Sequence, residues 1–124
     1  MEVHYYRATL THDGKRDPIY DADTVRLTVD HGFGATLKLG PCRLYGIDAW
    51  EVRGSERDQG KAARDFLRDL LSQHPQFTIQ TFKDRESEKK GKYGRYLVTI
   101  ILDDGTNVNE LLVARGHAVF HDYG

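Results

Sequence analysis

The stretch Arg43-Leu44-Tyr45-Gly46-Ile47-Asp48-Ala49-Trp50-Glu51 decides how the rest of the chain is read. It begins as a strand, with Leu44 and Ile47 suited to pack inward, and ends in polar residues where a loop starts. One guanidinium (Arg43) and two carboxylates (Asp48 and Glu51) fall within it. Ends of rigid elements hold catalytic groups firmly while loops expose them. The mixture suits phosphodiester cleavage: one carboxylate to hold a divalent metal, another to handle a water proton, a guanidinium to grip phosphate. Taken alone, the same spelling also serves an amphipathic strand with a capping acid.

Working outward, Val3–Thr11 (VHYYRATLT) is rich in β-formers and predicts a first strand. His12–Pro18 is turn chemistry centred on Asp13-Gly14. Ile19-Tyr20 leads into Asp21-Ala22-Asp23, with Asp21 read as a turn residue, and Thr24–Val29 alternates as a second strand. Asp30–Gly34 turns the chain into a third strand at Ala35–Leu39, where Gly40-Pro41 predicts a bulge or an edge position. Cys42–Ile47 continues in extended form into the opening stretch.

Beyond it, Ser55 and Asp58 predict a capped helix. Its apolar face is Ala62, Ala63, Phe66, Leu67, Leu70 and Leu71, and it ends at His74-Pro75. The charges between these positions form a solvated outer face. Phe77–Phe82 and Tyr96–Leu102 are a fourth and a fifth strand, joined by the charged run Lys83–Arg95. Asn107 and Glu110 open a short helix that Gly116 closes, and Ala118–Phe120 is a last extended piece.

Composition sets the bounds. A chain of 124 residues, 39% hydrophobic and 30% charged, is expected to form one globular domain spanning 1–124. No apolar run reaches the roughly 20 residues of a membrane helix. The N-terminus carries neither a basic start nor an apolar signal segment, which predicts a cytoplasmic protein. A single cysteine, Cys42, excludes an intramolecular disulfide and a cysteine-based zinc cluster, and is read as a packing thiol. Six scattered histidines lack ligand spacing. The net charge of −1 is unlike that of strongly basic nucleic-acid binders, so distribution matters more than the sum. Five short strands with a helix after the third predict a mainly β, α+β chain: an OB-type five-stranded barrel with one long and one short helix. An open α+β sheet and an SH3-like barrel with insertions are the other folds this order allows.

Three segments then stand in a familiar order and spacing: Asp21–Val25, Arg43–Glu51 and Gly91–Leu97. With the Asp30–Gly34 turn, the Gly60–Ala63 segment, Asn109-Glu110 and Gly116-His117-Ala118, the chain resembles the staphylococcal-type thermonucleases over nearly its whole length. The resemblance implies an OB barrel and a Ca²⁺-dependent phosphodiesterase that acts on DNA and RNA, single-stranded or frayed, and leaves 3′-phosphate ends. It implies Asp23 and Asp48 as metal carboxylates and Ala49 as a backbone-carbonyl ligand. Glu51 would act as general base or water positioner, Arg43 and Arg95 as phosphate-gripping arginines, and Lys92 and Tyr93 as contacts to a second phosphate. The base-stacking tyrosine of the family falls in register on Asp122, with Tyr123 next to it as substitute.

Ala22 stands where the family has glycine, and Trp50 where it has proline. That ring serves either as a lid packed on the barrel or as a base-stacking platform. The chain ends at Gly124, without the C-terminal helix of longer members, and a monomer of phage or mobile-element origin is the expectation by analogy. Two other functions fit the same barrel: a catalytically inactive nucleic-acid-binding module and a protein-interaction domain.

Overall fold

The computed structural model describes residues 2–83 and 96–121. The segment containing Lys92, Tyr93 and Arg95, and Tyr123 near the C-terminus, lie outside the described residues. The chain runs β1 (Glu2–Leu10), β2 (Ile19–Asp21), β3 (Thr24–Gly32), β4 (Ala35–Leu44), β5 (Ile47–Ala49), α1 (Arg57–Gln73), β6 (Phe77–Lys83), β7 (Tyr96–Ile101), α2 (Val108–Ala114) and β8 (Ala118–Phe120).

Five of these strands close on themselves. β1 pairs antiparallel with β3 and with β6, β6 with β7, and β3 with β4. A parallel pairing of β4 with β7 completes the ring. This is the OB-type closed sheet expected from the strand count. Closure gives every strand of the ring a partner on both sides over part of its length, with β4 meeting β7 only at Cys42–Leu44. Alternation fills the interior: Val25, Leu27 and Val29 of β3 are buried, with Ile79 of β6 and Val98 and Ile100 of β7. β2 adds to β3 outside the ring, and β5 pairs with β8 in a separate two-stranded sheet.

The predicted interruption at Gly40-Pro41 is a bulge within one continuous strand. Leu27 pairs with Gly40 and Thr28 with Lys38, leaving Leu39 without an opposite residue. β4 nevertheless ends earlier than its apolar run suggests. Gly46, at φ 81°, turns the chain after Tyr45 and starts β5 in a different sheet.

The α1 start corrects the sequence reading. Ser55 lies inside a single 3₁₀ turn, Gly54–Glu56, and does not cap α1. Glu56 occupies the N-cap, and its carboxylate instead accepts the backbone N–H of Glu51 at 3.0 Å. The buried face is Gly60, Ala63, Leu67 and Leu71; Phe66 and Leu70 are partly buried and Ala62 is exposed. α2 follows expectation more closely, because the Asn107 side chain accepts the Glu110 amide at 3.1 Å. Past its end, Gly116 at φ 78° lets the 116 and 117 amides reach back to Val113 and Leu112. No helix among the described residues is long and apolar enough to cross a membrane.

Candidate active site

The side chains singled out at Asp23, Asp48 and Glu51 line one cleft together with Arg43 and Ala49. Its volume is about 430 Å³. The fold brings them together from two places. Asp23 follows β2 at the turn into β3, and Arg43 sits on β4 directly opposite Thr24 in the β3–β4 register. Asp48 and Ala49 come from β5, beyond the Gly46 turn, and Glu51 follows two residues later.

Arg43 is the hub. Its Nη2 bonds the Asp48 carboxylate, lies 3.4 Å from the Ile47 carbonyl oxygen, and stands 3.9 Å from Oδ2 of Asp23. That same Asp23 oxygen accepts the Ala49 amide at 2.9 Å, and the Asp23 carbonyl accepts the Leu44 amide at 2.9 Å. The β2–β3 turn is thereby fastened to both ends of the β4–β5 corner. Asp23 is buried with these partners, as an ionisable group in a low-dielectric site must be.

Three further residues belong to the site. Asp21, read from sequence as a turn residue, lines the cleft, and its Oδ1 accepts the Asp23 amide at 3.3 Å. Burial, and next the neighbouring Asp23, push its carboxyl up to about 7. Glu56 adds a fifth carboxylate to the lining. His121, one of the six histidines that lack ligand spacing, places Nδ1 2.6 Å from the second oxygen of Asp48. The Asp-x-Asp spacing at 21–23 was the available signal for Asp21. Nothing local marks His121, because its contact spans 73 residues.

The two departures at the cleft are accommodated. Ala22 is fully buried and is absent from the residues with positive φ, so no glycine is required there. Trp50 lines the cleft, and its indole N–H donates to the Gly116 carbonyl at 2.8 Å, which ties the ring to the α2–β8 turn.

Five carboxylates and Arg43, the one cation among the described lining residues, make this an oxygen-rich, acidic cleft. Among the described residues no group of three or more His, Cys, Asp and Glu side chains is gathered closely enough to hold a metal alone. Any cation here would need water, a backbone carbonyl or substrate oxygens as additional ligands.

A closed five-stranded barrel with an acidic, arginine-centred cleft at the β4–β5 corner is the class that fold and site define. Residues 41–124 match the family described as staphylococcal nuclease homologue, and the chain belongs to that family. It is also 30% identical over 115 residues to the endonuclease YhcR of Bacillus subtilis (strain 168), an alignment covering 86% of this chain. The chain spans about 9% of the length of that relative.

Proposed function

We propose that this chain is a Ca²⁺-dependent nuclease that hydrolyses phosphodiester bonds of DNA and RNA to 3′-phosphate products. The convergence of Asp23, Asp48, Glu51 and Arg43 on one cleft carries the reading. Family membership and the name of the Bacillus relative support it.

The donor set fits a hard divalent cation. The cleft offers carboxylate oxygens with no thiol, and Asp21 and Asp23 crowd each other where positive charge would relieve them. Asp23, Asp48 and the Ala49 carbonyl would hold the ion, which when bound supplies Lewis acidity to a phosphate oxygen. Arg43 grips the same phosphate, in concert with Arg95 as the family resemblance implies. A guanidinium donates two parallel hydrogen bonds, and these tighten as charge grows on the phosphate oxygens toward the transition state. Glu51 accepts the proton of the attacking water, as a carboxylate positioned at the cleft can.

Arg43 is held by Asp48 in this structure, so substrate binding requires the guanidinium to exchange one anionic partner for another. His121, on the opposite oxygen of Asp48, keeps that carboxylate placed through the exchange. The assay is end-group analysis of a labelled single-stranded oligonucleotide. We expect 3′-phosphate products, and turnover lower by about two powers of ten in Arg43→Lys and in Glu51→Gln. Products ending in 3′-hydroxyl, or variants at wild-type rate, would refute the assignment. Binding without cleavage would favour the inactive module.

A further inference from the structure

A second cleft adjoins the acidic one, and its electrostatics are reversed. It has a volume of about 680 Å³, and Arg16, Arg26, Arg53, Arg64 and Arg68 all line it. In a chain whose net charge is −1, five of eleven arginines converge on one cavity, with Asp17 the single carboxylate among its described lining residues. No lysine is among its described lining residues. Arginine without lysine is the composition expected where planar guanidinium forks must meet phosphate oxygens.

The arginines reach the cavity from separate elements: Arg16 from the β1–β2 loop, Arg26 from β3, Arg53 from the segment before the 3₁₀ turn, and Arg64 and Arg68 from one face of α1. Such convergence is built by tertiary structure, not by a local charge run. Two of the cations are partly spent. Arg68 Nη2 bonds Asp17 at 2.5 Å and the Ile19 carbonyl at 3.3 Å, and Asp65 lies 3.5 Å from Arg64 Nε and 3.6 Å from Arg68 Nη1. Even so, the Nε atoms of Arg64 and Arg68 are buried without a hydrogen-bond partner among the described residues. The side chains of Arg16, Arg26 and Arg53 enter no ion pair among the described residues. The guanidiniums of Arg16, Arg26 and Arg53 are therefore available to an anionic oxygen ligand in the cleft.

The two clefts are neighbours with a shared wall. Tyr20 and Thr24 line both. Along β3, Thr24 and Arg26 share a face; opposite them in register on β4 lie Arg43 and Pro41. Arg26 is therefore one two-residue step, about 7 Å, along the sheet from the row of Arg43. That step is of the order of the distance between successive phosphates in an extended single strand. Tyr20 lines both clefts and is half exposed, which suits it to contact a base.

We propose that the arginine-lined cleft is a second nucleic-acid subsite, which takes the sugar-phosphate backbone of the strand one or more phosphates away from the bond cleaved in the acidic cleft. The inference rests on the nuclease reading for its ligand class. It makes the protein a reader of strand length: a substrate too short to reach this cleft loses the interaction, and a longer one gains it.

The test compares the wild type with Arg26→Gln/Arg53→Gln, which removes two arginines that have no ion-pair partner among the described residues. The first readout is the ratio of kcat/KM for a single strand of about twelve nucleotides to that for a dinucleotide. We expect the double substitution to lower this ratio at least about tenfold, through KM for the long strand. The second readout is oligonucleotide binding in chelator, followed by fluorescence anisotropy against salt. We expect weaker binding and a slope of log Kd on log salt reduced by about one to two. Active enzyme with an unchanged length ratio overturns the subsite and leaves the nuclease reading standing. Weakened binding in a protein that cleaves neither substrate does the reverse. Inorganic phosphate is the control for a free-anion site: micromolar phosphate binding lost in the double variant, with strand binding unaltered, overturns the strand assignment.

Discussion

Oδ2 of Asp23 accepts the backbone N–H of Ala49 at 2.9 Å, across 26 residues of sequence. This bond joins the turn between β2 and β3 to β5, and so places one acid of the cleft beside the others. It separates two jobs of the Asp23 side chain, since an amide oxygen can still accept the Ala49 proton but carries no charge. Asp23→Asn is expected to keep most of the stability and lose about two powers of ten in turnover. Asp23→Ala is expected to lose the same activity and about 1–3 kcal/mol of stability as well, because the Ala49 amide is left without its acceptor. Urea unfolding beside an oligonucleotide cleavage assay checks both.

Gly60 lies in α1, where alanine would ordinarily favour the helix by about 1 kcal/mol. Here a Cβ would stand 1.9 Å from the Glu51 carbonyl oxygen. α1 therefore packs directly on the backbone of Glu51, and only a residue without a side chain permits that approach. Gly60→Ala is expected to destabilise the fold by about 1–3 kcal/mol against its helix propensity. Because the displaced atoms belong to Glu51, kcat should fall further than the stability loss explains, a split measured in the residually folded protein at low temperature.

Asn109 is buried at the start of α2 and satisfies three backbone groups. It accepts the Ile100 amide at 3.2 Å and donates to the carbonyls of Tyr45 and Val98 at 2.9 and 3.0 Å. Tyr45 sits at the turn that redirects the chain into β5, so this amide secures the corner from which Asp48 projects. Asn109→Leu keeps the volume and removes all three bonds. Thermal and urea unfolding should show a loss of about 2–4 kcal/mol.

The sequence reading reached the barrel because its strands alternate and its turns carry glycine, proline or aspartate at the right places. It singled out Asp23, Arg43, Asp48 and Glu51, which the fold gathers in one cleft, because each charge falls inside a motif with fixed spacing. It could not reach β2, whose three residues Ile19–Asp21 are too few for a period and pair only through β3. Ser55 misled because a cap is a matter of backbone geometry, and the close approach of α1 to Glu51 assigns the N-cap to Glu56. The arginine-lined cleft was invisible for a similar reason. Arg64 and Arg68 read as the outer face of a helix, and only the fold brings Arg16, Arg26 and Arg53 to meet them.

Cys42 is fully buried on β4, and burial pushes its thiol from about 9 up to about 12. In the unfolded chain the thiol ionises first, so between these values the native state binds more protons than the unfolded state. Stability should therefore fall as pH rises from about 9 toward 12 through this group. Cys42→Ala should flatten that part of the profile, and the native thiol should resist alkylating reagents until the protein is unfolded.

The central claim is that the carboxylates of the cleft hold a cation without which the phosphodiester bond is not cut. Single-turnover cleavage of a labelled single strand, measured across a Ca²⁺ titration and again after chelation, tests it on the unaltered protein. The account predicts a rate that saturates with Ca²⁺, vanishes in chelator and returns on adding Ca²⁺ back. Cleavage that persists at full rate in chelator, or a protein that cuts no strand at any Ca²⁺ concentration, would contradict it.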